Sequence, residues 1–204
     1  MKPAQPICDA LLQALQAQYA GQPRVMVQDE MMVGYGVGIA DVVLIRPRVL
    51  HGFEIKSAAD NLTRLEARQI AYYGRVFDYV TLVTAPKHLD KAGTRVPEWW
   101  GLQQADAGDG AMCLTEIRPP ARNPLPDARA LEPLLWKTDM LELLQRHGVA
   151  HKRYHSKRVL WEMLIAGMSA GYLHDEIIES LFRRNERREW LVRWRSDGDY
   201  CRKQ

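Results

Sequence analysis

Residues 40–57 read Ala40-Asp41-Val42-Val43-Leu44-Ile45, then Arg46-Pro47-Arg48-Val49-Leu50-His51, then Gly52-Phe53-Glu54-Ile55-Lys56-Ser57. Two runs rich in β-branched and aromatic residues about an Arg-Pro-Arg break predict an antiparallel hairpin, with strands over 40–45 and 52–57 and a turn near Arg48-Val49. In such a pair the start of one strand lies beside the end of the next, which brings Asp41 close to Lys56. Side chains alternate along a strand, so Glu54 and Lys56 share a face that Asp41 can join. Phe53 and Ile55 take the opposite, more buried face.

Outward from the hairpin, Ile7, Leu11, Leu12, Leu15 and Tyr19 recur at helical spacing and predict a helix over 6–19. Residues 24–32 and 79–84 read as further strands, and residues 61–76 as a helix by length and pattern. Helix, three strands, helix, strand is the order of an α/β unit whose mixed sheet is flanked by helices, the crossover helix delivering the fourth strand. This core is expected to occupy residues 1–105. Residues 106–126, with four prolines among Gly, Ala and Asp, read as a loop or linker with one short strand near 112–117. Residues 127–204 form a basic helical C-terminal region, its apolar faces predicting helices over 134–147, 156–167 and 173–190.

The chain of 204 residues is 47% hydrophobic, enough to bury a substantial core, and disorder is not expected. No apolar run is long enough to cross a bilayer and the N-terminus lacks an apolar leader, which predicts a soluble, cytoplasmic protein with no membrane partner. Cys8, Cys113 and Cys201 are widely spaced, so neither a disulfide framework nor a structural zinc site is indicated. The net charge is only +3, but the final quarter is crowded with Lys and Arg, an asymmetry that fits a polyanionic partner.

Two carboxylates converging on one point repel unless a cation sits between them. Oxygen ligands suit Mg²⁺ or Mn²⁺, which keep positions open for water and phosphate. The expected division of labour is Asp41 and Glu54 for metal and Lys56 for the attacking water and the charge growing on phosphorane oxygens. Glu30, on the preceding strand, can add a third carboxylate, with Asp29 the competing choice. The same Glu-x-Lys also reads as the polar face of a half-exposed hairpin, so its company decides.

With Ile39-Ala40-Asp41 followed by Phe53-Glu54-Ile55-Lys56-Ser57, the chain resembles the PD-(D/E)XK nuclease superfamily, whose motif is an acidic residue and then Glu-x-Lys on the next strand. Ala40 stands where the motif has proline. Residues 60–83, then Pro97-Glu98-Trp99-Trp100-Gly101 and Leu134-Leu135-Trp136-Lys137, resemble a little-characterised bacterial family of that superfamily. The resemblance implies a restriction-endonuclease-like core and metal-dependent hydrolysis of DNA, RNA not being excluded. Gln69 and Tyr73 match a Gln-x-x-x-Tyr element that exonuclease-like branches place at the active site, and four-residue spacing sets both on one helical face.

Further basic residues are secondary candidates for phosphate contact: Arg64 and Arg68 on the helix over 61–76, and Arg183, Arg184, Arg187 and Arg188 near the C-terminus. The last two predicted helices also fit a helix-turn-helix. Two other functions therefore stand beside nuclease: a non-catalytic nucleic-acid-binding protein in repair, phage conflict or a larger complex, and a transcriptional regulator. Trp99 and Trp100 read as a lid on the core. His147, His151 and His155 lack an accompanying carboxylate and do not read as a metal site.

Overall fold

In the computed structural model the described residues are 3–34, 38–62, 67–108, 110–124 and 126–196, with side chains described through Arg187. They fall into two compact units, residues 1–134 and 135–204.

The first unit is an α/β sandwich about one six-stranded mixed sheet in the order β1 to β6. After α1 (Gln5–Gln18), the strands β1 (Met26–Gly34), β2 (Gly38–Arg46) and β3 (Val49–Lys56) run as an antiparallel meander. The helix α2 (Ala67–Val76) crosses over to β4 (Tyr79–Thr84), parallel to β3, and α3 (Leu89–Arg95) crosses to β5 (Gly101–Ala107), parallel to β4. β6 (Met112–Arg118) returns antiparallel to β5. The turn between β2 and β3 consists of Pro47 and Arg48, since Arg46 pairs with Val49. Proline fixes the first of these positions, and Arg48 at φ +64° supplies the left-handed one that a tight turn of this kind requires.

Alternation divides the sheet into two apolar faces. On one, Ile7, Leu11 and Leu15 of α1 pack on Val42, Leu44, Phe53, Ile55, Val83 and Ala105. On the other, Tyr73 and Phe77 cover β3 and β4, and Gly52 leaves room for the Phe77 ring, which would lie 2.6 Å from any Cβ there. The hairpin therefore has no half-exposed side. Glu54 is 3% exposed, against 5% for Phe53 and 4% for Ile55, which corrects the expectation of a less buried Glu54 face. The reason is the crossover: a parallel strand needs a helix over the sheet, and that helix roofs Glu54.

The first unit runs past the expected end of the core at residue 105. β5 and β6 complete the sheet, and the segment after β6 is tied beneath α2 rather than acting as a linker. Asn123 Nδ2 donates to the carbonyls of Gly74 (2.7 Å) and Phe77 (2.8 Å), the acceptors left open where α2 ends. Its backbone N–H bonds Asp78 O, and Asp127 N–H bonds Arg75 O, both at 2.8 Å. The 3₁₀ stretch Ala128–Leu134 then packs on α2 and β1.

The second unit consists of α4 (Lys137–Arg146), α5 (Lys157–Gly167) and α6 (Ala170–Ser196), mutually packed through Met140, Leu143, Leu144, Leu160, Leu164, Leu173, Ile177 and Ile178. Ser156 caps α5 by accepting from Val159 N–H. Only Met168 and Ser169 separate α5 from α6, shorter than the usual turn of a helix-turn-helix. Among the described residues, no helix is long and apolar enough to cross a membrane.

Candidate active site

The β2–β3 ladder is regular from Arg46–Val49 to Val42–Phe53. One step beyond, where Asp41 would face Glu54, the Asp41 side chain takes over: its Oδ2 accepts from Ile55 N–H at 2.7 Å. Glu54 and Lys56, two apart on β3, share a face, and Lys56 Nζ donates to Glu54 Oε1 at 2.6 Å. The other carboxylate oxygen, Oε2, accepts from Gln69 Nε2 and Tyr73 Oη, each at 2.8 Å. Gln69 and Tyr73 lie one turn apart on α2, so one helical face supplies both donors. Tyr73 has no exposed surface and is held by stacking on Trp100 at 5.9 Å and by an edge contact with Phe77 at 5.2 Å.

Burial, and then the neighbouring Glu54 charge, raise the Asp41 pKa from its ordinary value to about 6, against the opposing pull of the Ile55 N–H and Lys56. Asp60 adds to the same field. That residue lies just beyond β3, where its carboxylate accepts from both the backbone N–H (2.8 Å) and the hydroxyl (2.6 Å) of Ser57. Tyr73 is pushed far above the usual phenol range by burial and by Glu54, so its hydroxyl remains a donor.

The structure thus gathers Asp41, Glu54, Lys56, Gln69 and Tyr73. Glu30 does not complete a three-carboxylate cluster. The register sets it level with Asp41, between the pairs Asp29–Val42 and Met31–Ala40, but it is exposed and takes φ +46°. Among the described residues no group of three or more His, Cys, Asp or Glu converges as a metal cage. Asp60 was not among the expected site residues; no spacing rule marks it, because its link to the site runs through a loop turn at Ser57.

The donor set still fits a hard divalent cation. Asp41 Oδ1 accepts no hydrogen bond among the described residues, and Glu54 uses three of roughly four acceptor sites. One or two carboxylates with water and phosphate completing the shell is the usual Mg²⁺ arrangement. Burial first and then the Glu54 charge raise the Asp41 pKa, and the second of these is a repulsion that such an ion relieves.

Of the basic candidates, Arg64 lies outside the described residues, as does the side chain of Arg188. Arg68 is exposed on α2 and Arg183 on α6. Arg184 is ion-paired with Asp139 and sits 4.2 Å over the Trp136 ring, and Arg187, with 47% of its side chain exposed, is paired with Glu142. Asp139, with 1% of its side chain exposed, needs that guanidinium to be buried ionised. Trp100 is buried, as a lid reading requires, and His147 and His151 serve local contacts to Glu176 and to the Val149 carbonyl.

Fold and site define an α/β protein with a buried, helix-braced carboxylate–lysine centre. The family model for bacteriophage P4 protein cII matches residues 4–196, and the chain belongs to that family. No curated protein matches it. Among solved structures, a protein of unknown function from Silicibacter pomeroyi is similar at 19% identity and a TM-score of 0.48, over 76% of this chain and 99% of its own.

Proposed function

We propose that the protein is a metal-dependent DNA phosphodiesterase in which Asp41 and Glu54 hold Mg²⁺ or Mn²⁺ and Lys56 serves the attacking water. The observation that carries this reading is the bracing of buried Glu54 by Lys56, Gln69 and Tyr73, with Asp41 brought beside it. Burying a carboxylate carries a desolvation cost that its three donors only offset, a cost an apolar residue at a purely structural position would avoid. The resemblance to PD-(D/E)XK nucleases supports the same assignment.

The cation, when bound, supplies Lewis acidity at a phosphoryl oxygen and acidifies its water. Gln69 and Tyr73 hold the Glu54 carboxylate in one orientation through their hydrogen bonds to Oε2. Lys56, with 14% of its side chain exposed, orients the nucleophile and offsets the charge that develops on phosphorus-bound oxygens. Asp41 joins Glu54 as a ligand only when deprotonated. A cytoplasmic location goes with this activity.

Isothermal titration with Mn²⁺ and a cleavage assay on plasmid and oligonucleotide DNA test the reading together. Binding and cleavage both lost in Glu54→Ala are expected; cleavage that survives EDTA would sink it. A second reading, a non-catalytic nucleic-acid-binding protein, is favoured by one feature: Lys56 already neutralises Glu54, so the centre is charge-paired without metal. That reading expects no Mn²⁺ heat at all.

A further inference from the structure

Arg184 and Arg187 of α6 are ion-paired with Asp139 and Glu142, yet the second unit has another cationic surface whose charges are not paired in this way. It is the connection between α4 and α5. Gly148 at φ +66° turns the chain out of α4, His151 Nδ1 bonds the Val149 carbonyl at 2.8 Å, and Ser156 caps the start of α5. Between these anchors His155 N–H bonds Lys152 O at 3.0 Å, closing a turn with Arg153 and Tyr154 at its tip.

Tyr154 is 75% exposed. Its ring packs on no apolar neighbour that the fold needs; its contacts are Lys152 Nζ, 5.5 Å from the centroid, and the edge-on His155 ring at 5.4 Å. Lys152, Arg153 and Arg158 are exposed beside it and carry no ion pair among the described residues. No Asp or Glu occurs between Glu142 and Glu162, so the turn itself carries no acid, and the first one after it, Glu162, lies one helical turn beyond Arg158. An exposed aromatic ring among exposed cations matches the chemistry of an unpaired base flanked by phosphates.

We infer that the α4–α5 turn is a binding site for single-stranded nucleic acid, in which a base stacks on Tyr154 while Lys152, Arg153 and Arg158 meet adjacent phosphates. The inference goes beyond the proposed phosphodiesterase and does not need it, because this site lies wholly within the second unit. A duplex offers the same phosphates but keeps its bases stacked on one another, so Tyr154 gives the site its preference for single strands.

The test is fluorescence anisotropy of a labelled oligothymidylate and of a duplex of equal length with the full chain, in EDTA so that no cleavage intervenes. Tyr154→Ala is expected to weaken single-strand binding about tenfold and leave duplex binding unchanged, with Tyr154→Phe restoring it. Arg153→Ala with Arg158→Ala is expected to lower the salt dependence by about 0.7 per cation removed. Wild-type affinity in Tyr154→Ala, an equal loss on duplex, or heparin binding without any single-strand preference would overturn the inference. Thermal melts matching wild type confirm that these exposed changes leave the fold intact. Glu54→Ala is expected to bind normally here, so failure of the nuclease reading and failure of this one are separable.

Discussion

Tyr73 Oη donates a 2.8 Å hydrogen bond to Glu54 Oε2 from a ring with no exposed surface, joining the crossover helix to the strand that it covers. The bond makes the site part of the core, so substitutions there trade in stability as well as chemistry. Tyr73→Phe keeps the ring packing and removes one donor from a buried carboxylate. It is expected to cost about 1.5–3 kcal/mol in urea unfolding, the range for a hydrogen bond to a charged group. A cost indistinguishable from zero would mean that Gln69 alone satisfies Oε2.

Asp41 gives the centre a pH signature. Its pKa rises from the ordinary 3.8 to about 6 on folding, so between those values the folded chain holds a proton that the unfolded chain has released. Stability from this group is present at low pH and falls as pH rises through the window. Asp41→Asn is expected to remove that slope, measured as thermal midpoint against pH. In the wild type, metal competes with the same proton, so Mn²⁺ affinity is expected to drop below about pH 6.

His51 has the opposite sign. Burial, and then Arg46, lower its pKa from 6.5 to about 3, and its Nε2 lies 2.9 Å from Thr81 Oγ1. Between those values the unfolded chain binds a proton that the folded chain refuses, so stability is lost as pH falls. His51→Gln is expected to flatten the acid side of the stability profile. An unchanged profile would show that His51 titrates normally in the fold.

Gly52 is required by close approach. A Cβ there would come within 2.6 Å of the Phe77 ring, itself fully buried. Gly52→Ala is expected to destabilise the first unit by about 1–3 kcal/mol, as overpacking of a core does. Chemical denaturation reads it directly.

The pair Arg184–Asp139 is expected to be structural. Arg184→Ala leaves buried Asp139 with the Trp136 N–H at 2.7 Å and the more distant Arg187 at 3.5 Å, and should cost about 2–3 kcal/mol, short of the full penalty for an unpaired buried charge. Its effect on DNA affinity, measured where the variant remains folded, is expected to be small. A large loss of affinity with unchanged stability would return Arg184 to the nucleic-acid surface.

The hairpin was legible because β-branched runs about Pro47 leave few alternatives, and strand alternation then puts Glu54 and Lys56 on one face. Gln69 and Tyr73 were marked by the resemblance to a Gln-x-x-x-Tyr element, and four-residue spacing then set both on one helical face. β5 was not read as a strand: its Gly-Leu-Gln-Gln-Ala-Asp-Ala sequence has low β-propensity and is strand because β4 and β6 pair with it on either side. The docking of the segment after β6 onto the first unit rests in part on Asn123 closing the end of α2, a long-range bond with no local signature. Whether a given arginine is free depends on buried acids such as Asp139, which periodicity does not reveal. Asp60 enters through the field at Asp41, which only the folded geometry creates.

The most direct measurement is incubation of the purified protein with linear and circular, single-stranded and double-stranded DNA in Mg²⁺ or Mn²⁺, beside Glu54→Ala, Lys56→Ala and an EDTA control. Cleavage that requires metal and disappears in both variants is the expected result. Metal-saturated wild-type protein that binds these DNAs and leaves every one intact would contradict the account.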